Sequence, residues 1–101
     1  MIKILFASVA VWTALASAAA AANAVQGGVL AKRWCAACHI VASDQNTGNT
    51  QAPPFSAIAG RRDFNAGEIA LFLLDPHPKM PDMGLTRGEA ADLAAYIATQ
   101  K

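Results

Sequence analysis

The segment Cys35-Ala36-Ala37-Cys38-His39 constrains this chain more than any other part of its sequence. Two cysteines that are separated by two residues and followed at once by a histidine form the attachment signature of a c-type haem. The spacing places both sulfurs on one turn, where they suit the two vinyl groups of a porphyrin. The adjacent imidazole then points at the iron as a proximal ligand. Because these are the only two cysteines, the pattern predicts one covalently attached haem c.

Three other interpretations of the cysteine pair are weaker. A thioredoxin-like redox pair needs a βαβ setting, and no strand pattern surrounds the motif. A structural zinc site needs about four Cys or His ligands, and only His77 remains beyond the motif. A disulfide between cysteines this close closes a small, strained ring that stabilises little. Haem attachment is therefore favoured.

The first 24 residues have the organisation of a signal peptide. Lys3 supplies a positive charge, Ile4 to Leu15 is apolar, and Ala22-Asn23-Ala24 is an A-x-A-like cleavage site. We predict a signal peptide over 1–24, cut before Val25, and export to the periplasm. The alternative is an uncleaved anchor, because the run is long enough to span a bilayer. Its alanine-rich second half favours cleavage, after which no stable membrane insertion is expected.

Removal of residues 1–24 leaves 77 residues, enough for one small domain over 25–101. A chain this short rarely builds a sufficient core without an added constraint, and a buried haem would supply one. Of the eight Lys and Arg residues only Lys3 precedes Val25, so the mature part contains seven basic and seven acidic residues. No basic run suggests a nucleic-acid partner.

The mature part contains helix patterns and no convincing strand. Apolar periodicity and capping signals predict helices over 26–38, 66–74 and 87–100. The last two begin at predicted N-caps, Asn65 and Thr86, each followed three residues later by a glutamate. We therefore predict an all-α architecture, with about three main helices around something flat and apolar.

The loop before the last helix contains Met80 and Met83, the only methionines after Val25. A methionine thioether is a neutral, soft iron ligand that raises the reduction potential relative to a second histidine. Pro81 restricts the backbone of Met80, whereas Met83 precedes the flexible Gly84. Met80 is therefore the predicted second axial ligand.

The chain strongly resembles the small class I monohaem cytochromes c of bacteria, over about residues 25–99. The resemblance rests first on the highly specific Cys-Ala-Ala-Cys-His segment. Weaker matches follow in the right order: Gly27 and Leu30–Trp34, Ala52–Phe55, Lys79–Pro81, Leu85–Thr86 and Leu93–Ile97. Two departures are an aromatic of the first helix replaced by Leu30, and a longer, unusually polar segment between His39 and Pro53.

The resemblance implies an all-α, small cytochrome c-type fold, with about three main helices and loops wrapped around one covalently bound haem. It also implies roles for individual residues. It implies thioether links at Cys35 and Cys38, and iron bound by His39 and Met80. It also implies that the Pro53 carbonyl accepts a hydrogen bond from the His39 imidazole. Finally, it implies that the first and last helices cross at Gly27, against Leu93, Tyr96 and Ile97.

Other chemistry-bearing side chains have ordinary interpretations. His77 lies between two prolines and is expected to be a solvated surface histidine. Trp34 either lies against the haem edge or packs as an ordinary helix residue, and these remain equal alternatives. Arg61 and Arg62 either neutralise haem propionates or are merely solvated. Lys79 adjoins the predicted ligand and is a candidate for steering an acidic partner.

These features together predict a periplasmic one-electron carrier that is monomeric and not an enzyme. Its partners would be a redox donor and acceptor, candidates being a periplasmic dehydrogenase and a terminal oxidase or reductase. Two alternatives remain open: a haem-based sensor of small ligands, and the cytochrome subunit of a periplasmic dehydrogenase.

Overall fold

In a computed structural model of the chain, residues 21–48, 51–76 and 79–101 are described. Four helices form along these residues: α1 (Ala24–Trp34), α2 (Phe55–Ala59), α3 (Ala66–Leu74) and α4 (Arg87–Ala98). No strand occurs in the described ranges, and the all-α prediction is confirmed. Most of the predicted signal peptide, residues 1–20, lies outside the described residues, as does His77.

The predicted caps set the starts of α3 and α4. The Asn65 side chain accepts a hydrogen bond from the backbone N–H of Glu68 at 3.0 Å. Thr86 and Glu89 form a reciprocal capping box, in which each side chain accepts from the other residue's backbone N–H. Both helices therefore begin where the sequence predicted, because capping depends only on neighbouring residues.

The first helix differs from its predicted range of 26–38. It begins at Ala24, capped by Asn23, and ends at Trp34. The haem-attachment motif therefore follows the helix. Cys35 is the C-cap, and its carbonyl accepts from the N–H groups of Cys38 and His39 at 3.1 and 2.8 Å. These turns bring both cysteines and the histidine to the end of α1.

The short helix α2 was not predicted. It starts immediately after Pro54, whose φ of −63° and ψ of 150° leave the chain extended before the first turn. Five residues are too few to show a helical apolar period. Its buried residues Phe55 and Ala59 nevertheless join the core.

The core is organised around α4, which packs against the other three helices. Leu93 has no exposed surface, and Ile97 is 3% exposed. Leu30 of α1, Phe55 of α2 and Leu73 of α3 belong to the same buried cluster. The fold thereby holds the chain segments on either side of the Cys motif against one helix. No helix among the described residues has the length and apolar character to cross a membrane.

Helices α1 and α4 approach most closely at Gly27. A Cβ added at Gly27 would lie 1.9 Å from the backbone oxygen of Asp92 and 2.8 Å from Cβ of Tyr96. Only a glycine permits this backbone-to-backbone contact. The crossing lies where the family resemblance implied, although its nearest atom belongs to Asp92.

Candidate haem site

One cavity of about 500 Å³ brings together the five predicted site residues. Cys35, Cys38, His39, Pro53 and Met80 all line it. Apolar side chains from α2, α3 and α4 complete the wall, including Phe55, Ile58, Leu73, Leu93 and Ile97. The volume falls within the ordinary range for cofactor sites. The fold therefore gathers residues that are up to 45 positions apart in the sequence, from Cys35 to Met80.

The two cysteines occupy different environments in this cavity. Cys35 is 7% exposed, and Cys38 is exposed to solvent. The two cysteines do not form a disulfide with each other. Burial, with a smaller contribution from Cys38, raises the pKa of the Cys35 thiol to about 11. Cys35 therefore marks the inner wall of the cavity and Cys38 its mouth.

The His39 ring is held by two neighbouring residues of the cavity wall. Its Nδ1 lies 2.6 Å from the Pro53 carbonyl oxygen. Because a carbonyl can only accept, the proton must be on Nδ1, which leaves the Nε2 lone pair for a metal. The Phe55 ring packs against the imidazole with centroids 5.4 Å apart. The Phe55 N–H also donates to the Ile40 carbonyl at 2.9 Å, which ties the two segments together.

The donor set fits a c-type haem. Two thiols at the attachment spacing, an imidazole with a free nitrogen, and thioether sulfurs share one largely apolar cavity. These are the groups that covalent attachment and His/Met ligation of haem iron require. The structure thus provides a place for the group that the sequence predicted.

Both methionines of the loop line the cavity. Both are half-buried, and Met80 packs against the central core cluster. Met83 is followed by Gly84, whose φ of +63° lies in the left-handed region that favours glycine. The Gly84 N–H donates to the Asp82 side chain at 2.9 Å, which closes a tight turn in this loop.

Several other side chains lie around the cavity. Trp34 lines it and is 47% exposed. Arg61 also lines the cavity and is exposed, whereas Arg62 is exposed and not among its lining residues. Lys79 is exposed and lies beside Met80 on the wall. The predicted pair of arginines is therefore divided, with only Arg61 at the site.

Gln45 has a structural role that no sequence pattern indicates. Its side-chain oxygen accepts from the Val41 N–H at 3.0 Å. Its side-chain amide lies 3.1 Å from the Ala36 carbonyl, 2.7 Å from that of His39 and 2.8 Å from that of Thr47. Two amide hydrogens thus serve three acceptors. The segment after His39 is long and unusually polar. No local pattern distinguishes Gln45 from its polar neighbours there.

Replacing Gln45 with alanine should loosen the backbone around the Cys motif. The change leaves a half-buried N–H and carbonyl groups without partners, so we expect a loss of about 1–3 kcal/mol in the free energy of unfolding of the holoprotein. Chemical denaturation followed by circular dichroism measures it. Asn46→Ala, at the exposed next position, is the control and should be nearly neutral. Equal effects of the two changes would contradict this assignment.

The Tyr96 hydroxyl makes a second tie to the same segment. It donates to the Val41 carbonyl at 2.7 Å, and the Tyr96 ring lies 6.3 Å from that of Phe55, edge to face. Burial, with a smaller effect of Asp44, raises the pKa of this hydroxyl. The C-terminal helix therefore supports the chain just beyond His39.

Comparison with known proteins identifies the family. Cytochrome c-552 of Bradyrhizobium diazoefficiens is 53% identical over 83 residues, which cover 82% of this chain and 80% of that protein. No family model matches the chain, and no solved structure matches it either.

The chain belongs to the monohaem class I cytochromes c. It is an electron carrier and not an enzyme, and its haem c is attached through Cys35 and Cys38. Because the chain belongs to this family, the cysteine pair is a haem-attachment site and not a redox pair, a zinc site or a disulfide. An electron carrier also requires a redox donor and a redox acceptor as partners.

Proposed function

We propose that this chain is a periplasmic one-electron carrier whose haem iron is bound by His39 and Met80. One observation carries the proposal: five residues singled out in the sequence line a single apolar cavity. When bound there, the haem supplies one-electron chemistry through ferrous and ferric iron. Every other contribution comes from the chain, which holds, orients and shields the group.

His39 would serve as the proximal ligand, with Pro53 controlling it. The 2.6 Å contact keeps the Nδ1 proton in place and so directs Nε2 toward the cavity. Hydrogen bonds of this kind orient a ligating histidine and raise its basicity. Phe55 restricts rotation of the ring from the side. The imidazole is therefore held in position for either oxidation state.

Met80 would hold the iron through its thioether sulfur, in place of a substrate or gas, so that together with His39 the chain would supply both protein ligands that electron transfer requires. The buried side chains of Leu93 and Ile97 would exclude water from the bound haem and so would favour its less charged, ferrous state.

The proposal is tested by locating the protein and examining its iron. The full-length gene is expressed with a cytochrome c maturation system, and the periplasm is separated from the cytoplasm. We expect haem protein in the periplasm, low-spin in both oxidation states, with no carbon monoxide bound by the reduced form. Cytoplasmic holoprotein contradicts the location, and ready carbon monoxide binding supports the sensor alternative.

Covalent attachment should survive loss of the fold. Thioether bonds persist when coordination is lost, so acidified organic solvent should leave the haem on the polypeptide. Cys35→Ala should permit at most one link and sharply lower the yield of holoprotein, and mass spectrometry of the intact chain measures both. Ser43→Ala is a surface control that should leave the yield unchanged. Extraction of free haem from the unaltered protein would contradict attachment.

Docking of redox partners should depend little on salt. The mature part has balanced formal charges before the haem is counted, and the cavity mouth carries the exposed apolar rings of Trp34 and Phe72, 47% and 41% exposed. We expect the second-order electron-transfer rate to change less than about threefold as the Debye length falls from about 30 to about 8 Å. A steep fall, measured by stopped-flow absorbance, would indicate a charged docking patch instead.

A further inference from the structure

The start of α1 depends on residues that the predicted signal peptide would remove. Asn23 is the N-cap, and its side-chain oxygen accepts from the Gln26 N–H at 3.0 Å. Its carbonyl accepts from the Gly27 N–H at 2.9 Å. A cut before Val25 would remove both acceptors from the mature chain.

Helix α1 is poorly equipped to lose that cap. Gly27 and Gly28 are buried in its first turns, and glycine is among the weakest helix formers. Gly27 cannot be replaced by a better helix former, because its Cα faces the backbone of Asp92. Without Asn23, the Gly27 N–H would also lose its acceptor in a buried position.

A second observation concerns charge at this helix end. Helix α1 has no acidic residue in its first turn, although a helix N-terminus favours negative charge. Asp92 of α4 supplies that charge, and its Oδ1 lies 2.7 Å from the backbone nitrogen of Asn23. An ammonium group at this nitrogen would form a charge-assisted hydrogen bond with the carboxylate.

We propose that a leader peptidase cuts between Ala22 and Asn23, so that Asn23 begins the mature chain and its α-ammonium group binds Asp92. Water adds across the Ala22–Asn23 amide, leaving a carboxylate on Ala22 and the ammonium on Asn23. Ala20-Ala21-Ala22 offers small residues at the two positions that a leader peptidase recognises, as does Ala22-Asn23-Ala24. The inference rests on the proposed export of the chain.

The competing start at Val25 is worse for the folded protein. Its ammonium would lie inside the first turn of α1, where positive charge opposes the helix dipole. It would also lie two residues beyond the nitrogen that contacts Asp92. Either cut satisfies the preference of a leader peptidase for small residues. Only the contacts of the folded chain favour the cut before Asn23.

Intact mass spectrometry of the periplasmic holoprotein tests the cut. The expected mass is that of residues 23–101 plus one haem. A chain that begins at Val25, at any other residue, or at Met1 overturns the inference. Fractionation separates this failure from that of the proposed function: periplasmic haem protein with another first residue leaves export intact, whereas cytoplasmic holoprotein contradicts export itself.

A second experiment tests the contact with Asp92. Asp92→Asn is made in two holoproteins, one directed to begin at Asn23 and one at Val25. In the first we expect the unfolding equilibrium constant to rise measurably, and in the second to change little. The holoprotein that begins at Val25 should have an unfolding equilibrium constant about fivefold higher than the one that begins at Asn23. Asn23→Ala in the chain that begins at residue 23 should reproduce most of that rise. Equal responses of both chains to Asp92→Asn would overturn the proposed contact.

Discussion

Replacing Met80, the proposed iron ligand, with alanine should leave the iron open to water or to small ligands. The reduction potential should fall, because the soft thioether that favours ferrous iron is gone. The ferrous form should then bind carbon monoxide, whereas the unaltered protein should not. Absorbance spectroscopy under carbon monoxide and a potentiometric titration measure the two effects.

Met83→Ala is the matched control, because both methionines line the same cavity in the same loop. It should retain low-spin, six-coordinate haem and shift the potential only modestly. His77 lies three residues before Met80 and is able to ligate iron, so the His77→Ala, Met80→Ala double variant gives the cleaner result. If Met83→Ala opens the iron and Met80→Ala does not, the ligand is Met83.

Gly27→Ala should be the most destabilising single methyl addition in the described part of the chain. The new Cβ would lie 1.9 Å from the Asp92 oxygen and 2.5 Å from its carbonyl carbon. Neither atom belongs to a movable side chain, so α1 and α4 must separate. We expect a loss of about 3 kcal/mol or more, at the upper end of the range for overpacking, measured by denaturation of the holoprotein.

Gly88→Ala provides the control for that experiment. Its Cβ would come no closer than 3.9 Å to another atom, the Thr86 hydroxyl oxygen. Gly88 lies in the first turn of α4, so alanine should be neutral or stabilise by up to about 1 kcal/mol. A loss at Gly27 no larger than the change at Gly88 would mean that the helices do not cross as described.

Residues that act through neighbours in the chain were predictable. The attachment motif Cys35–His39 carries its chemistry in its spacing, and the capping box at Thr86 needs only the glutamate three residues on. Met80 stays a prediction, which rests on the restriction that the neighbouring Pro81 imposes on its backbone. Each of these inferences uses contacts within about one turn, which a sequence displays directly.

Patterns of neighbouring residues did not predict the contacts that orient the site. Some of these contacts were implied by the family resemblance instead. Pro53 meets His39 across 14 residues, and the Tyr96 hydroxyl reaches the Val41 carbonyl across 55. Gln45 looks like any polar loop residue until its four backbone partners surround it. The helix α2 was missed because a single turn has no period to detect.

The sequence by itself determined the cofactor, the all-α class and the starts of α3 and α4, since each depends on short-range spacing or on the balance of apolar residues. Only the tertiary structure decided that Phe55 packs against His39, which glutamine supports the haem motif, and that Asn23 and Asp92 hold the start of α1. These involve groups brought together by the packing of α4 against the other helices. Backbone carbonyls and a helix end acquire specific partners only when the chain is folded, because every residue carries the same backbone groups.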